Sequence, residues 1–281
     1  HHIIKNIDRY KLVQNIHPTA IVEASVQLGS NVKIGPFCYI TGNVVIGDNC
    51  KIDSHVVIRG STVLGNNNIV FPFAVIGSEP QDLKYVGEES RLEIGNNNVI
   101  REHVTIHSGT NDGNKNFADK SLTKIGNNCL LMVASHIAHD CFVGDYVILA
   151  NNATLAGHVM VSDYVIIGGL SAVKQFVRIG EHSIIGGMSG VEKDVIPFGL
   201  IIGERANLSG INIVGLKRRN FALDSIKSLQ KMYQALFKAS DLVFSEKLKE
   251  IRRDFTDKHV LDVIDFIEAD NANAICSPKS K

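Results

Sequence analysis

The sequence contains no tryptophan and only 6 prolines in 281 residues, and its charges cancel, with 29 Lys+Arg against 29 Asp+Glu. That balance excludes a broad basic face for nucleic acid and a solvating acidic tail. There is no run of about 18 apolar residues, so no transmembrane segment is expected. The cysteines number 5, an odd count without the spacing of a disulfide framework, which fits a reducing cytoplasm. No secretory signal pattern opens the chain. His1 and His2 look like the remnant of a purification tag and are set aside.

What is abundant is Gly, at 24 residues, with heavy use of Val and Ile in a chain that is 44% apolar. Such a composition supports a sizeable core and favours β structure with many tight turns. Aliphatic residues recur every six positions, from Ile16 through Val22, Leu28 and Ile34 to Ile76. The register resumes at Ile94, Ile100 and Ile106, and again from Ile125 to Val191, making 26 positions in phase. Four places after many of these stands a second small or apolar residue, as at Ala20, Val32, Val56, Ala74 and Val147. Cys38, Cys50, Cys129 and Cys141 occupy that same place and read as small buried residues.

Neither a helix nor an alternating strand has a period of six. A chain that turns a corner every six residues does. Each short strand points one aliphatic side chain inward, and runs such as Gly47-Asp48-Asn49 and Gly95-Asn96-Asn97 fill the turns. Three strands close a triangular coil of 18 residues, and stacked coils bury one continuous aliphatic column. The expected organisation is an N-terminal extension over 1–15, a hexapeptide-repeat parallel β-helix over 16–215, and a small C-terminal α-helical domain over 216–281. Residues 77–93 and 110–124 break the register and are expected to leave the prism as loops. Phe221, Ile226, Leu229, Met232, Tyr233, Leu236 and Phe237 suit one face of a helix. Further helices are expected at 244–255 and 259–268, and a frayed tail from Asn271. From Leu216 onward 13 Lys+Arg stand against 10 Asp+Glu, a surplus of 3 positive charges.

Residues 18 apart stack on neighbouring coils, roughly 4.8 Å from one another. His139 therefore lies over Gly157, and Gly157 over Gln175. His158, one coil and one residue beyond His139, falls within several ångströms of it, with His136 on the same strand or its turn. This cluster admits three readings. A histidine of near-neutral pKa can take a proton from an attacking hydroxyl or amine, while a glycine N–H stabilises a tetrahedral oxyanion. Three histidines can instead hold zinc. Or the turn histidines are simply solvated.

At this point the sequence resembles a known family. His136-Ile-Ala-His139-Asp140, the run from Leu149 to His158, Gln81-Asp82-Leu-Lys84-Tyr85, the run from Ile94 to Glu102 and the run from Asn212 to Arg219 resemble the UDP-N-acetylglucosamine O-acyltransferases that begin lipid A synthesis. The resemblance runs from about Ile16 to Phe237. It implies a left-handed β-helix, a homotrimer, and transfer of an R-3-hydroxyacyl chain from acyl carrier protein to the sugar 3-hydroxyl. The donor rides on the phosphopantetheine of that carrier, and no other cofactor and no metal is required. His139 is then the general base, Gly157 the oxyanion donor, and Asp140 the residue that orients His139; strand alternation, in which neighbours point to opposite faces, would instead aim Asp140 away. Gln81, Asp82, Lys84, His136 and His158 would contact the sugar and phosphates. Gln175 and Asn212 match nucleotide-binding positions, as does Arg219, and Arg218 would bind a phosphate. Gly187 matches a position that measures acyl length, and an open glycine there implies a long, hydroxymyristoyl-like chain; a turn glycine needed for its backbone is the competing reading.

Two residues depart from the family pattern. Lys174 stands where a histidine is frequent, keeping a donor for phosphate or an acyl hydroxyl, and Val214 replaces an acidic residue. Lys217, Arg218, Arg219, Lys227 and Lys231 form a basic surface suited to an acidic carrier protein. The alternatives are an N-acyltransferase acting on a UDP-amino sugar, a zinc-dependent β-helix enzyme of the carbonic-anhydrase kind, and a non-enzymatic scaffold.

Overall fold

The computed structural model describes residues 15–113, 121–240, 242–269 and 274–279. Most of the N-terminal extension, including His1 and His2, lies outside these residues, as do the middle of the second register break and part of the tail.

The hexads form short strands, most of them two residues long, stacked into three parallel sheets of nine, eight and ten strands. The first face runs from Ile21–Val22 to Gly190–Val191, the second from Gln27–Leu28 to Arg178–Ile179, and the third begins at Lys33–Ile34. Successive coils pair in register, as Ile137 with Leu155 and Leu149 with Ile167. The coil is a left-handed parallel β-helix, opposite to the usual hand of parallel crossovers. One aliphatic residue per strand points inward, and the column from Ile34 to Val191 is nearly solvent-free. Each such side chain contributes about 1.5–3 kcal/mol on burial. All five cysteines are buried and unpaired, and burial pushes the Cys129 thiol up to about 12.

The corners show why the turn residues are what they are. The third residue after an inward aliphatic takes a left-handed backbone, with φ of 58° at Asn31, Asn49, Asn67 and Asp140. Asn and Asp tolerate that region better than other non-glycine residues. Between the second and third faces, side-chain oxygens of Asp48, Asn66, Asn96, Asn127, Asp145 and Asp163 each accept a backbone N–H from the preceding coil at 2.6–2.8 Å. This polar ladder satisfies donors that the sheets leave open.

Both register breaks leave the prism at one corner, between the first and second faces. The first departs after Val75–Ser78 and returns at Arg91–Ile94; the second departs after Thr105–His107 and returns at Leu122–Ile125. The third face ends in an antiparallel strand, Asn207–Ile211, paired with Gly199–Ile202. Among the described residues four helices follow: α1 (Ile213–Arg218), α2 (Leu223–Phe237), α3 (Phe244–Asp254) and α4 (Lys258–Ala269). α2 buries Ile226, Leu229, Met232 and Leu236, the face its periodicity predicts. α1 was not expected from the sequence, because six residues hold too little periodicity to reveal it. Its last turn carries Lys217 and Arg218, favourably placed at the negative end of the helix dipole. The described part of the tail is docked rather than frayed. Ile275 bridges Asp194, the Cys276 N–H donates to the Asp194 carbonyl, and Cys276 is buried. An unpaired sheet edge there attracts the chain back onto it.

Candidate active site

The corner between the first and second faces collects the chemistry. After the inward Ile137 come Ala138, His139 and Asp140, before Cys141 turns back into the core. Asp140 occupies the left-handed corner position, with φ of 58°. It is therefore not on a strand, and the alternation that would aim it away from His139 does not apply. Its Oδ2 lies 2.8 Å from His139 Nδ1, with both side chains buried. An ionised carboxylate only accepts, so Nδ1 carries the proton and Nε2 holds the free lone pair. Among the described residues Nε2 takes no hydrogen bond.

The His139 ring covers Gly157 on the next coil, as the 18-residue arithmetic requires. A Cβ built on Gly157 would lie 2.5 Å from His139 Cε1 and 2.6 Å from Nε2. Gly157 has no left-handed backbone, so space rather than conformation demands glycine here. Its N–H has no partner among the described residues. A base and an open backbone donor thus share one small volume.

His158 stands edge-on to His139, ring centroids 5.1 Å apart, and stacks on Phe176 at 4.5 Å. Burial holds its pKa below the ordinary value, with His139 adding to the fall, while the Asp140 carboxylate, the Gly113 backbone and Asp112 oppose it. His136 lies on the first face with Nδ1 at 2.7 Å from Thr105 Oγ1, and burial lowers its pKa too. His107, which the sequence reading missed, packs edge-on against His136 at 4.9 Å. Burial, with His136 and His139 nearby, pulls it down to about 4. At this corner the side-chain atoms near enough to share an ion belong to His139, Asp140 and His158, within 4.8 Å of one another. His136 is not in that group, so the three-histidine zinc arrangement does not form among the described residues.

These depressed histidines make stability fall in acid. His107 and His182, the latter lowered to about 4 by burial, Arg219 and His259, bind fewer protons folded than unfolded. Their neutral forms contribute full stability above the unfolded pKa near 6.5. That contribution is lost as pH falls toward 4. Urea unfolding at pH 7.5 and 4.5 should show the drop, and His107→Gln should remove part of the slope. An unchanged slope in that variant would clear His107 of the effect.

The two excursions reach over this corner. Lys84 and Asp112, one from each, pair at 3.3 Å in an exposed position, an interaction of at most about 1 kcal/mol. Asp82 accepts the Lys84 N–H at 3.0 Å, and Gln81 is exposed. Lys174 and Gln175 lie exposed at the same corner, one coil beyond Gly157.

The remaining expected residues do not join this cluster within one chain. Asn212 is an N-cap: its Oδ1 accepts the Gly215 N–H at 3.1 Å and its Nδ2 donates to the His182 carbonyl at 2.9 Å. Arg219 donates to the Tyr164 carbonyl at 2.9 Å, on the corner between the second and third faces, with Arg218 exposed beside it. Gly187 is exposed on the corner between the third and first faces. Its backbone is not left-handed, and a Cβ there would come no closer than 3.2 Å, to the Gly169 carbonyl. A left-handed φ is therefore not what calls for glycine at 187, although a Cβ would press on the Gly169 carbonyl.

Thr110, Asp112 and Thr123 were also missed. The signal was spoiled by the second excursion, which stretches the coil spacing there to 31 residues, pairing Ile106 with Ile137. With that spacing, Ser108–Thr110 falls beneath His139–Cys141.

Comparisons with known proteins agree on one family. Residues 194–276 match the family model described as UDP N-acetylglucosamine O-acyltransferase, domain 2, and residues 43–78 and 122–157 match bacterial transferase hexapeptide repeats. The chain is 52% identical over 212 residues to the acyl-[acyl-carrier-protein]--UDP-N-acetylglucosamine O-acyltransferase of Caulobacter vibrioides, covering 75% of this chain and 78% of that protein. It is 45% identical over 265 residues to the enzyme of the same name from Thermodesulfovibrio yellowstonii, covering 94% of this chain and all of that one. The structure of LpxA from Acinetobacter baumannii superimposes with a TM-score of 0.88 at 43% identity, covering 95% of this chain and 100% of that one.

Proposed function

Since the chain belongs to the acyl-[acyl-carrier-protein]--UDP-N-acetylglucosamine O-acyltransferase family, we propose that the His139–Asp140 corner over Gly157 is where it carries out that transfer. The protein is an O-acyltransferase that moves an acyl chain from acyl carrier protein to UDP-N-acetylglucosamine, the first step of lipid A synthesis. The observation that carries the site assignment is the 2.8 Å contact of His139 Nδ1 with Asp140 above the open Gly157 N–H.

The sugar 3-hydroxyl attacks the thioester carbonyl of the R-3-hydroxyacyl donor. His139 Nε2 takes the hydroxyl proton as the new C–O bond forms. The carbonyl oxygen becomes an oxyanion that the Gly157 N–H accommodates. Collapse breaks the C–S bond, and the imidazolium returns its proton to the phosphopantetheine thiolate. No covalent enzyme intermediate is needed. Lys84, His158 and Gln175 border the same space and suit the sugar and its phosphates; Gln81, Asp82, His136 and Lys174 extend it.

Asn212, Arg218 and Arg219 lie on another corner, so one chain does not bring them to His139. A homotrimer, with the corner of one copy set beside α1 of the next, would do so. Sedimentation equilibrium tests it, and a monomer with full activity would defeat it. Cytoplasmic residence suits the five unpaired cysteines, and among the described residues no helix is long and apolar enough to cross a membrane.

The strand after Gly187 lies three strands along the first face from the one bearing His136, about 14 Å along the prism axis at parallel-strand spacing. A long acyl chain can run that far, and Gly187 leaves its path open. Gly187→Leu should shift preference toward shorter donors, by on the order of 10-fold or more for each mismatched segment. Competition between donors of several lengths reads this directly. An unaltered preference would remove Gly187 from the acyl groove.

A further inference from the structure

The second excursion begins with a residue that touches the acid–base pair. The Thr110 N–H donates to Asp140 Oδ1 at 2.8 Å, and its Oγ1 donates to Asp140 Oδ2 at 2.6 Å. Oδ2 is the same oxygen that faces His139 Nδ1. At the returning foot of the excursion, Thr123 Oγ1 accepts the Asp140 backbone N–H at 2.8 Å. Thr110, Thr123 and Asp140 are all buried, Asp140 and Thr123 with no measurable exposure. Both feet of the excursion therefore grip one corner residue, from its backbone and from its carboxylate.

Such a grip meets a specific need. Asp140 sits in a left-handed corner conformation, and its side chain must stay ionised and aimed at His139. Charge-assisted donors stabilise a buried carboxylate and fix its rotamer. A carboxylate free to rotate would let the imidazole turn or change tautomer, and Nε2 would leave its place over Gly157. We infer that Thr110 is a positioning residue for the acyl-transfer reaction, acting through Asp140 on His139. This rests on the site reading above and deepens it. The excursion is then part of the acid–base apparatus as well as a wall of the binding space.

Thr110→Val keeps the shape of the side chain and the backbone N–H while removing the hydroxyl. Oδ2 loses one donor, so its negative charge bears more strongly on the His139 imidazolium. The His139 titration should move to higher pH, and the acid limb of the kcat profile with it. The loosened carboxylate should lower kcat by roughly 10-fold with KM for the sugar nucleotide nearly unchanged. Thr110→Ser, which retains the hydroxyl, should restore both. His158, His136, His107 and Asp112 also act on this region, so the shift is measured against native protein at equal ionic strength.

The experiment follows the His139 ring nitrogens by NMR in histidine-labelled full chain, assigned with His139→Ala, alongside kinetics of the same samples. A moved titration with Ser rescue supports the inference. A native His139 midpoint in Thr110→Val overturns it, as does an equal loss of rate in the Val and Ser variants. If the native protein shows no transfer, the functional reading fails, and the NMR midpoint still decides whether Thr110 governs His139.

Discussion

Replacing His139 by alanine should lower acyl transfer to UDP-N-acetylglucosamine by on the order of 100-fold or more, the range expected when a general base is lost. The reason is geometric. His139 presents a nitrogen lone pair at the corner, while its other nitrogen is held by Asp140 at 2.8 Å. KM should change little, since the ring's main task is proton transfer. Asp140→Asn should cause a loss of the same order, about 100-fold or more, because an amide can hold the ring in the tautomer whose Nε2 is protonated and cannot act as base. The measurement is initial rate with purified acyl carrier protein donor, with thermal unfolding as a control for folding. Retention of native rate in His139→Ala would displace the base from this residue, and His158, 5.1 Å away, would be the next to replace.

Gly157→Ala should be nearly as damaging, although it adds only a methyl group. That carbon would arrive 2.5 Å from His139 Cε1, well inside contact distance. The chain on either side is fixed by the coil, so the ring must give way. Its bond to Asp140 and its position over the Gly157 N–H are then lost together. Alanine keeps the backbone N–H, so the loss comes from the displaced general base and is expected to be on the order of 100-fold. Gly169→Ala provides the control. It changes the equivalent turn position at a different corner, where the nearest atom to the new Cβ is the Asn151 carbonyl at 3.2 Å. That variant should fold and retain the acid–base pair. Equal activity of Gly157→Ala and native protein would show that the ring does not need to lie there during the reaction.

The two variants separate features of different legibility. The position of His139 over Gly157 could be read from a spacing of 18, because a coil of fixed length converts sequence separation into height. The relation of Thr110 to Asp140 could not, because the excursion breaks that conversion and makes the separation 30 residues. Asp140 was expected to orient His139, and strand alternation argued against it; that objection fails because a corner residue in the left-handed region aims its side chain by different rules. Asn212 matched a nucleotide-binding position by its motif; the motif did not show that its amide also caps α1 and donates to the His182 carbonyl.

The period, the inward column, the two departures from the prism and the helical end are legible in the order of residues, since each follows from where apolar groups must leave water. That order also carries the family, through motifs whose residues face one another across stacked coils. The sharing of polar atoms emerges only on folding: which nitrogen of His139 is bound, what holds Asp140, and why Gly157 must lack a side chain. Burial of aliphatic groups is additive and repeats with the chain, so a pattern reveals it. A hydrogen bond depends on a few tenths of an ångström between residues that loops have moved far apart in sequence, and only coordinates record that.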